Sequence, residues 1–486
     1  MKYVIGIDIG TSGCKNVLLD QTGAVVGSAS KEYYAVSGEN GYAAQNPLDW
    51  YQAFIETLHE ICRKHSIDIK DITAISATGQ MQGCTFIGED GEAVRDSLIW
   101  YDTSPAEEVE RFNEKYGEVF QSTCNMRSTT SLSGSKIKWL MNHEADSWER
   151  VHKFTFASSY ITYKLTGNLS VDTNNLGLSG LNSVRDNGWS DELMQITGVA
   201  QEKVPALTGC FDIIGKVSQK AAAETGLSPD TIVIAGGGDG ATECYSIGIA
   251  GNSELKIRLG SAGDVAAVIH ENRFPDQKYV GMRYVKPEYL QVGNYTKGCA
   301  LSVKWVRDTF FSDYAKEYDV YARMDALIEN FEAGSGGLMY HPYIVGENAP
   351  YFDAGLRGKF TGINVSHNRA NFLAAAYEGI SYSLRDLIES IPIIAQMERI
   401  VIVGGGAKSQ PWVQALTDIM GKNAVIPAYC DASYGVALMA GEAAGLFESG
   451  KIVEKNRTQG KYIEYSRERH QTYNQLFEHY KKIALI

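Results

Sequence analysis

The stretch of sequence that decides the fold reads Val4-Ile5-Gly6-Ile7-Asp8-Ile9-Gly10-Thr11-Ser12-Gly13. Its first half is apolar and β-branched, which predicts a buried strand, and its Gly-Thr-Ser-Gly end predicts a tight turn. Lys15 and a second apolar run at residues 16–19 follow at once. The chain therefore opens on a predicted strand–turn–strand, with the carboxylate of Asp8 just before the turn.

This turn offers groups that bind phosphate. Gly10 and Gly13 let backbone N–H groups approach an anion closely, and Thr11 and Ser12 add hydroxyl donors. The carboxylate of Asp8 could hold a hydrated Mg²⁺ against phosphate oxygens. Many β-hairpins carry a Gly-Thr-Ser turn for structural reasons alone, so by itself the stretch leaves an ordinary hairpin as an equal alternative.

Length and composition describe a globular protein with more than one core. The chain has 486 residues, of which 44% are hydrophobic and 21% charged, and a single core stops growing near about 250–300 residues. A formal net charge of −13 and a pI near 5.3 argue against a nucleic-acid partner, which normally needs a basic face.

The absence of targeting signals and the cysteine pattern predict a cytoplasmic protein with no membrane partner. No window approaches the roughly 18–20 continuous apolar residues of a membrane span, and the N-terminus shows no signal-peptide pattern. The eight cysteines are scattered, with no C-x-x-C pair. Free thiols in a reducing compartment explain them better than disulfides or zinc.

The pattern of the first loop returns near the middle of the chain. Residues 231–235 predict a strand, followed by Gly236-Gly237-Gly238-Asp239-Gly240 and a helix of small residues. Residues 255–259 predict another strand, which enters the turn Gly260-Ser261-Ala262-Gly263. Alternating strands and helices predict an α/β fold, and the weak internal repeat predicts two related domains facing each other across a cleft. The boundary is expected at residues 248–254.

A third glycine-rich turn lies in the second half of the chain. A long helix is predicted over residues 372–391 and a strand over 400–403, before Gly404-Gly405-Gly406-Ala407-Lys408-Ser409. The turn fits neither a Walker loop, which needs glycine where Ala407 stands, nor a dinucleotide fingerprint. It still offers flat backbone to an adenine or a ribose. A strand–helix connection that needs positive φ is the structural alternative for any one of these turns.

Asp239 is the strongest candidate for catalysis. It follows three glycines at the C-terminal end of a predicted strand, the position at which open α/β sheets bind ligands. A carboxylate there can accept a hydroxyl proton during phosphoryl transfer, and a helix N-cap is its alternative role. Gln80, Gln82 and Asp102 offer the paired donors and acceptors that sugar hydroxyls need. Polar loop solvation is the alternative for these three.

Two longer patterns resemble the signatures of the FGGY family of carbohydrate kinases. The first is Ser131-x-Ser133-x-x-Lys136-Ile137-x-Trp139-Leu140-x-Asn142-His143. The second is Gly358-x-Phe360-x-Gly362-Ile363, followed after seven residues by Asn371-Phe372-x-x-Ala375-Ala376-Tyr377-Glu378. The opening strand–turn–strand is similar to the first phosphate loop of the actin, sugar-kinase and Hsp70 ATPase superfamily. The resemblance covers residues 3–445.

The resemblance implies two actin-like (ribonuclease H-like) domains that close on ATP, Mg²⁺ and a sugar or polyol. It divides the chain into an N-terminal kinase domain at residues 1–247, a C-terminal kinase domain at 255–445 and a C-terminal helical tail at 446–486. The tail is rich in tyrosine and charge from Lys461 onward, which predicts a surface helix. A homodimer is the assembly that the family suggests.

Carried onto this sequence, the family pattern gives each candidate residue a role. Asp239 is the general base, and Asp8 helps to position Mg²⁺. The expected sugar-binding residues are Gln80, Met81, Gln82, Asp102 and Gly240. The expected ATP-binding residues are Thr11, Ser12 and Lys15 in the first phosphate loop, Gly260 and Ser261 in the second, and Gly404, Gly405 and Lys408 at the adenosine.

Within the family the pattern is most similar to that of the xylulokinases. Gly79-Gln80-Met81-Gln82-Gly83 resembles their Gly-Gln-Met-His-Gly, with Gln82 in place of the histidine. Gly240 stands in place of the asparagine that follows their catalytic aspartate. The resemblance implies ATP-dependent phosphorylation of a ketopentose such as D-xylulose. The alternatives are another ketose or polyol (L-ribulose, L-xylulose or a pentitol) and a non-catalytic member of the superfamily that binds ATP or sugar.

Overall fold

A computed structural model describes residues 1–270, 280–314 and 319–484. The chain forms two compact units, each built from three segments. The first unit comprises Met1–Gly248, His270–Gln291 and Cys430–Lys455, and the second comprises Ile249–Ile269, Val292–Tyr429 and Asn456–Ile486. The first change of unit falls after Gly248. The sequence did not predict that segments 270–291 and 430–455 belong to the first unit, because a linear division cannot represent interleaved segments.

Strands and helices alternate along the described residues, in a mixed α/β architecture. The strands are β1 (Tyr3–Ile9), β2 (Gly13–Asp20), β3 (Val25–Glu32), β4 (Val36–Ser37), β5 (Ala43–Gln45), β6 (Ile72–Gly79), β7 (Thr85–Gly88), β8 (Ser97–Leu98), β9 (Val151–Thr155), β10 (Ser170–Asp172), β11 (Asn182–Ser183), β12 (Gly188–Trp189), β13 (Ala206–Thr208), β14 (Ile213–Lys216), β15 (Ile232–Gly238), β16 (Glu254–Leu259), β17 (Gly263–His270), β18 (Val280–Arg283), β19 (Tyr289–Thr296), β20 (Met339–His341), β21 (Lys359–Thr361), β22 (Arg399–Val403), β23 (Ala424–Ile426) and β24 (Lys461–Ile463). The helices are α1 (Pro47–His65), α2 (Ala106–Cys124), α3 (Ser133–His143), α4 (Ala145–Arg150), α5 (Ala157–Thr166), α6 (Thr173–Leu176), α7 (Asp191–Thr197), α8 (Gln219–Thr225), α9 (Asp239–Ile247), α10 (Ala300–Phe310), α11 (Val320–Ala326), α12 (Arg369–Glu389), α13 (Pro392–Ala395), α14 (Gln410–Met420), α15 (Ala432–Ala443), α16 (Ser449–Thr458) and α17 (Arg467–Ile483).

The first unit is organised around a six-stranded sheet. Its strand order is β14-β15-β6-β1-β2-β3. Strands β1, β6 and β15 are parallel to one another, whereas β2 pairs with β1 and with β3 in the antiparallel sense. The predicted opening hairpin is therefore confirmed as β1 and β2, and its parallel neighbours end at one edge of the sheet.

Helices pack on this sheet through apolar side chains and, at one position, against a glycine. Helix α1 buries Trp50, Phe54 and Leu58 against the isoleucines of β1 in one core cluster. Helix α15 packs on β1 and β6, and Gly6 permits this approach because a Cβ there would lie 2.1 Å from the Ser433 carbonyl oxygen.

The second unit contains a sheet with the order β19-β17-β16-β22-β23-β24. Strands β16 and β17 form an antiparallel hairpin, and β22 pairs with β16 in parallel. Helices α12, α14 and α17 pack against one another in this unit. The predicted features of α14 are confirmed, since Ser409 is its N-cap and Pro411 lies in its first turn.

The C-terminal tail corrects the prediction of a surface helix. Tyr473, Phe477 and Tyr480 of α17 are fully buried, and they form a core cluster with Met339 and Tyr382. Their spacing of four and three residues places the three aromatic rings on one face of the helix. The charged residues that dominate the composition occupy the opposite face, so the tail completes the core of the second unit.

No helix within the described ranges is both long and apolar enough to cross a membrane.

Candidate active site

Two carboxylates lie at the same edge of the first unit's sheet. Thr78 of β6 is in register with Asp8 of β1 on one side and with Gly237 of β15 on the other. Neighbouring strands lie about 4.8 Å apart, so the Cα atoms of Asp8 and Gly237 are about 10 Å apart. Asp239 follows two residues after Gly237. The parallel strands thus bring together the two acidic residues that the sequence singled out.

Steric constraints explain why glycines precede Asp239. Gly236 has a φ of +86°, and a Cβ there would lie 2.0 Å from the Ala77 carbonyl oxygen. A Cβ on Gly238 would lie 2.2 Å from the sulfur of Met81. Close packing between β15 and the loop after β6 therefore requires these glycines, and it fixes the backbone that carries Asp239 and Met81.

Asp239 begins helix α9 and is half-buried. Its Oδ1 accepts a hydrogen bond from the Gly240 N–H at 2.8 Å. The first turn of a helix stabilises a negative charge, because the unpaired N–H groups of the helix point toward it. Asp239 is thus held as a partly exposed carboxylate, which suits a group that accepts a proton from a hydroxyl.

The loop after β6 presents amide groups at this edge. Gln80 is 4% exposed, and its Nε2 donates to the Oε1 of Gln45 at 2.8 Å. The Oε1 of Gln80 is buried and has no hydrogen-bond partner among the described residues. A buried unsatisfied acceptor costs about 1–3 kcal/mol, so this oxygen is a candidate ligand-binding atom.

Gln82 adopts a backbone conformation that glutamine rarely adopts. Its φ is +69°, and such a conformation costs on the order of 1–3 kcal/mol for a residue with a Cβ. The hydroxyl of Ser133 donates to the carbonyl oxygens of Gln82 and Gly83, at 3.1 and 3.3 Å. Ser133 belongs to the first signature, and it holds the strained turn that orients the half-buried Gln82 side chain.

Met81 is part of an apolar wall. It clusters with Leu178 and Met282, and Met126 packs against the same group. Met282 comes from the segment 270–291, which the sequence analysis placed in the C-terminal domain. The first unit therefore takes part of its candidate substrate pocket from a distant stretch of the chain.

Asp102 occupies a different position from the other predicted sugar ligands. Its side chain has no exposed surface, and its carboxylate accepts hydrogen bonds from the Ala43 N–H and the Ser104 hydroxyl. Lys136 lies 3.5 Å from Asp102 Oδ2 and donates to the carbonyl oxygens of Asp102 and Thr130. Burial lowers the pKa of Lys136 to about 8, against the opposing effect of Asp102. The arrangement anchors the loop, and direct contact of Asp102 with a sugar stays a prediction.

The first phosphate loop is tied to the amide cluster. The turn is closed by the Gly10 N–H donating to the Gly13 carbonyl oxygen at 3.0 Å. The hydroxyl of Thr11 accepts from the indole N–H of Trp100 at 2.9 Å, and the Thr11 carbonyl oxygen accepts from Nε2 of Gln45 at 2.8 Å. Gln45, through its Oε1, also binds Gln80, so one buried amide links the phosphate loop to the sugar loop.

Ser12 and Lys15 complete this loop in different ways. Ser12 is exposed at the tip of the turn. Lys15 pairs across the hairpin with Asp8, and its ammonium lies 2.5 Å from the carboxylate of Asp431. Asp431 is the N-cap of α15. The contact of Lys15 with a phosphate stays a prediction, and Asp431 is a neighbour that the sequence did not indicate.

The second unit brings the other predicted nucleotide residues together. β16 ends before Gly260 and Ser261, and β22 ends before Gly404. A Cβ on Gly404, whose φ is +91°, would lie 2.9 Å from the carbonyl oxygen of Leu259. The two glycine turns therefore touch at the end of a parallel strand pair, the usual ligand edge of an α/β sheet.

Most of the predicted nucleotide-binding residues at this second edge are exposed. Ser261, Gly404, Gly405 and Lys408 are exposed. The start of helix α10 holds the first turn, because the Ala300 N–H donates to the Gly260 carbonyl oxygen at 2.8 Å. This edge offers exposed backbone and one lysine, which is suited to a nucleotide.

Sequence reasoning missed Gln45, Ser133 as a positioning residue, Asp431 and Gln291, which is described below. Gln45 lies in the three-residue β5 and Gln291 in the eight-residue β19, and neither strand carries a motif that distinguishes these residues from other polar residues. Ser133 stood in the first signature, but its hydrogen bonds to Gln82 and Gly83 depend on the tertiary fold.

Comparison with known proteins decides the family. The N-terminal domain model of the FGGY family of carbohydrate kinases matches residues 3–244, and its C-terminal domain model matches residues 267–444. This chain belongs to the FGGY family of carbohydrate kinases. The kinases of this family use ATP, and this member is a sugar kinase.

Relatives of this FGGY kinase act on more than one sugar. The xylulose kinase of Bacillus subtilis is 30% identical over 99% of this chain and 97% of its own length. The solved xylulose kinase of Lactobacillus acidophilus has a TM-score of 0.89 and 25% identity, over 99% of this chain and 98% of that one. The gluconate kinase of the same organism also has a TM-score of 0.89 and 25% identity, over 99% and 97%. The fold therefore does not select between these two substrates.

Proposed function

We propose that this kinase transfers the γ-phosphoryl group of ATP to the terminal hydroxyl of a ketopentose. D-xylulose is the leading substrate, and the products are xylulose 5-phosphate and ADP. The similarity to the xylulose kinase of Bacillus subtilis over nearly the whole of both chains supports this choice.

The observation that carries the proposal is a pair of neutral amides, Gln80 and Gln82, on the loop that follows β6. Gln80 and Gln82 lie on the loop that touches β15 and offer both donors and acceptors. The ammonium of Lys136, a residue of the first signature, has no exposed surface and is bound to Asp102 and Thr130. A chain of uncharged hydroxyls fits such a site better than a carboxylate does, because an unpaired buried charge is strongly disfavoured.

The chemistry assigned to Asp239 is general-base catalysis. Its carboxylate accepts the proton of the attacking hydroxyl while that oxygen bonds to the γ-phosphorus and the bond from phosphorus to the ADP oxygen breaks. The proton remains on Asp239 until it passes to solvent. The Gly240 N–H, at 2.8 Å from Oδ1, keeps the carboxylate in place for this transfer.

The residues also fit a magnesium ion that arrives bound to ATP. Mg²⁺ is usually held by one or two carboxylates together with phosphate oxygens and water, and Asp8 offers one half-buried carboxylate beside the phosphate loop. A dedicated cluster of three or more metal-ligating side chains is absent from the described ranges. When bound, the ion supplies charge neutralisation on the phosphates, and Asp8 would hold it.

In the first unit, the proposed phosphate-binding residues are Thr11, Ser12 and Lys15. In the second unit, the proposed nucleotide-binding residues are Gly260, Ser261, Gly404, Gly405 and Lys408. The cytoplasmic location and the homodimer remain predictions of the sequence.

Gluconate is the second candidate substrate. The equal structural similarity to the gluconate kinase of Lactobacillus acidophilus favours it. A hexonate carries a carboxylate that needs a cationic partner, and Lys136 would have to leave Asp102 to provide one. The two candidates therefore predict different behaviour of the pair formed by Lys136 and Asp102.

The test is ADP formation by the purified protein with D-xylulose, L-xylulose, L-ribulose, a pentitol, D-gluconate and glycerol. We expect the highest kcat/KM with D-xylulose or a related ketopentose. A preference for D-gluconate or glycerol by more than tenfold would reject the ketopentose assignment.

A further inference from the structure

Gln291 lies in an unexpected place for a glutamine. It is in β19, between Leu290 and Val292, and all three side chains are buried, with Gln291 only 8% exposed. It is the last residue of the segment that belongs to the first unit. Burial of an amide in a strand is unfavourable unless both of its polar ends find partners.

The amide of Gln291 lies beside the residue that follows Asp239. A Cβ built on Gly240 would lie 3.5 Å from Nε2 of Gln291. The space in which Gly240 lacks a side chain is therefore bordered by an amide that comes from a distant part of the sequence. The xylulokinase pattern has an asparagine at the position of Gly240.

The oxygen of this amide has no hydrogen-bond partner within the described part of the chain. Oε1 of Gln291 is buried and accepts no hydrogen bond from the described residues. The last torsion of a glutamine side chain is broad and roughly two-fold, so rotation can present either the oxygen or the NH₂ group toward Gly240. An unsatisfied buried amide beside the general base is a group that a substrate hydroxyl can satisfy.

We infer that Gln291 is a specificity-determining residue whose amide binds a sugar hydroxyl next to the reacting one. The inference rests on the proposed function. In this arrangement the amide of Gln80, on the loop after β6, binds one part of the sugar, and the amide of Gln291, on β19, binds another. The glycine at position 240 is then a requirement of the site, because an asparagine there would compete with Gln291 for the same space.

The variants for the test are Gln291→Leu, Gln291→Ala, Gly240→Asn and the double variant Gly240→Asn/Gln291→Ala. Asn294→Ala is the matched control, because Asn294 is a buried amide on the same strand whose oxygen accepts from Asn348. For each protein, kcat and KM are measured with D-xylulose, L-xylulose, L-ribulose and D-gluconate, together with the KM for ATP and the Tm.

We expect Gln291→Leu to lower kcat/KM for the preferred sugar about 10- to 100-fold and to reduce the preference among the sugars. The KM for ATP should change less than twofold. Gly240→Asn alone should also lower kcat/KM. The kcat/KM of the double variant should be at least tenfold higher than that of Gln291→Ala. The control should lower the Tm without changing the order of sugar preference.

If the wild type phosphorylates a sugar and Gln291→Leu keeps the same sugar preference, the inference about Gln291 is wrong while the proposed function stands. Failure of the wild type to phosphorylate any sugar would reject the proposed function together with the inference. If Gln291→Leu does not fold, Gly240→Asn decides, since unchanged kcat/KM in that variant contradicts a shared space.

Discussion

The ligand edges of the two units carry different groups, although three strands in the same arrangement form each edge. In the first unit β1 and β2 form a hairpin and β6 is parallel to β1, and in the second β16, β17 and β22 repeat this arrangement. Asp8 stands two residues before the first turn, and Arg258 stands two residues before the second. The charge at this position is therefore reversed between the repeats.

The strands that follow in parallel differ as well. β6 leads into Gln80, which is buried and hydrogen-bonded to Gln45, whereas β22 leads into the exposed Gly404 and Gly405. One edge presents side chains fixed by a buried network, and the other presents exposed backbone. In the proposed function, the same strand arrangement serves proton transfer in one unit and nucleotide binding in the other, because function lies in the residues placed on a fold.

The largest effect that tests this difference is expected for Asp239→Asn. Loss of a general base costs about 10²–10⁴-fold in kcat, and sugar and ATP binding should remain within a few-fold. Asp191→Asn is the control, because Asp191 is also the first residue of a helix but is exposed on α7. If Asp239→Asn keeps more than a tenth of the wild-type kcat, the carboxylate edge is not the catalytic edge.

One buried group in each unit should respond to acid, with opposite effects on the free energy of unfolding. His341 of the second unit is fully buried and stacked on Tyr480, and burial lowers its pKa to about 4. The unfolded chain binds a proton below about 6.5 and the folded chain does not, so stability falls as the pH drops through this range, by about 2 kcal/mol between pH 6.5 and 5. His341→Phe should abolish this part of the loss in urea unfolding at pH 7.5 and 5.

Asp172 of the first unit should have the opposite effect on the free energy of unfolding when the pH falls. Burial raises its pKa to about 6, against the N–H groups of Asn174 and Asn175 that stabilise its charged form. The folded state therefore takes up a proton before the unfolded chain, and stability rises as the pH falls from 6 toward 4. Asp172→Asn should make acid destabilisation steeper, and a flatter curve for that variant would contradict the assignment.

The buried network of the first unit is tested by Gln45→Leu. The change removes the partners of Thr11 O, Gln80 Nε2 and the Trp50 indole N–H, at about 1–3 kcal/mol for each group left unsatisfied. We expect a higher KM for both sugar and ATP, by about threefold to thirtyfold, because both loops lose their common support. Asn16→Leu is the control, since Asn16 is a buried amide of β2 bonded to Phe54 and Thr57. A rise in neither KM would show that the network only stabilises the fold.

The smallest effect is expected at the second edge, for Gly405→Ala. The added Cβ has open space, with no described atom within 4 Å, so the Tm should not change. If adenosine lies on this backbone, the KM for ATP should rise a few-fold while the sugar KM stays constant. Gly404→Ala is the comparison, because its positive φ and the nearby Leu259 backbone should lower stability as well. An unchanged KM for ATP in both variants would contradict the assignment of nucleotide binding to this edge.

Much of the fold could be predicted from local pattern. The hairpin of β1 and β2, the helix α12 and the capped start of α14 follow from β-branched runs, helical spacing and the Ser409-x-Pro411 pair, all of which are local properties. The residues Asp8, Gln80 and Asp239 stand at strand ends, and parallel pairing places strand ends together. The pairing of β1, β6 and β15 brings these three strand ends to one edge.

Other features could not be predicted, because they depend on contacts between distant segments. Lys15 and Asp431 are 416 residues apart, and the burial of Tyr473 and Tyr480 requires the core formed with Tyr382. The hydrogen bond of Lys136 to Asp102 joins residues 34 positions apart, and the contact of Asp102 with a sugar stays a prediction. Composition made the tail resemble a surface helix because the average over a helix hides one buried face.

The sequence by itself determined the α/β class, the FGGY membership and the identity of Asp239 as the strongest candidate base, since these depend on short patterns of residue types. The tertiary structure alone decided that Gln45 joins two loops and that Gln291 stands beside Gly240. The physical reason is that a hydrogen bond or a steric contact depends on a few ångströms in space. Residues far apart in the chain acquire such distances only when the strands pair and the helices pack.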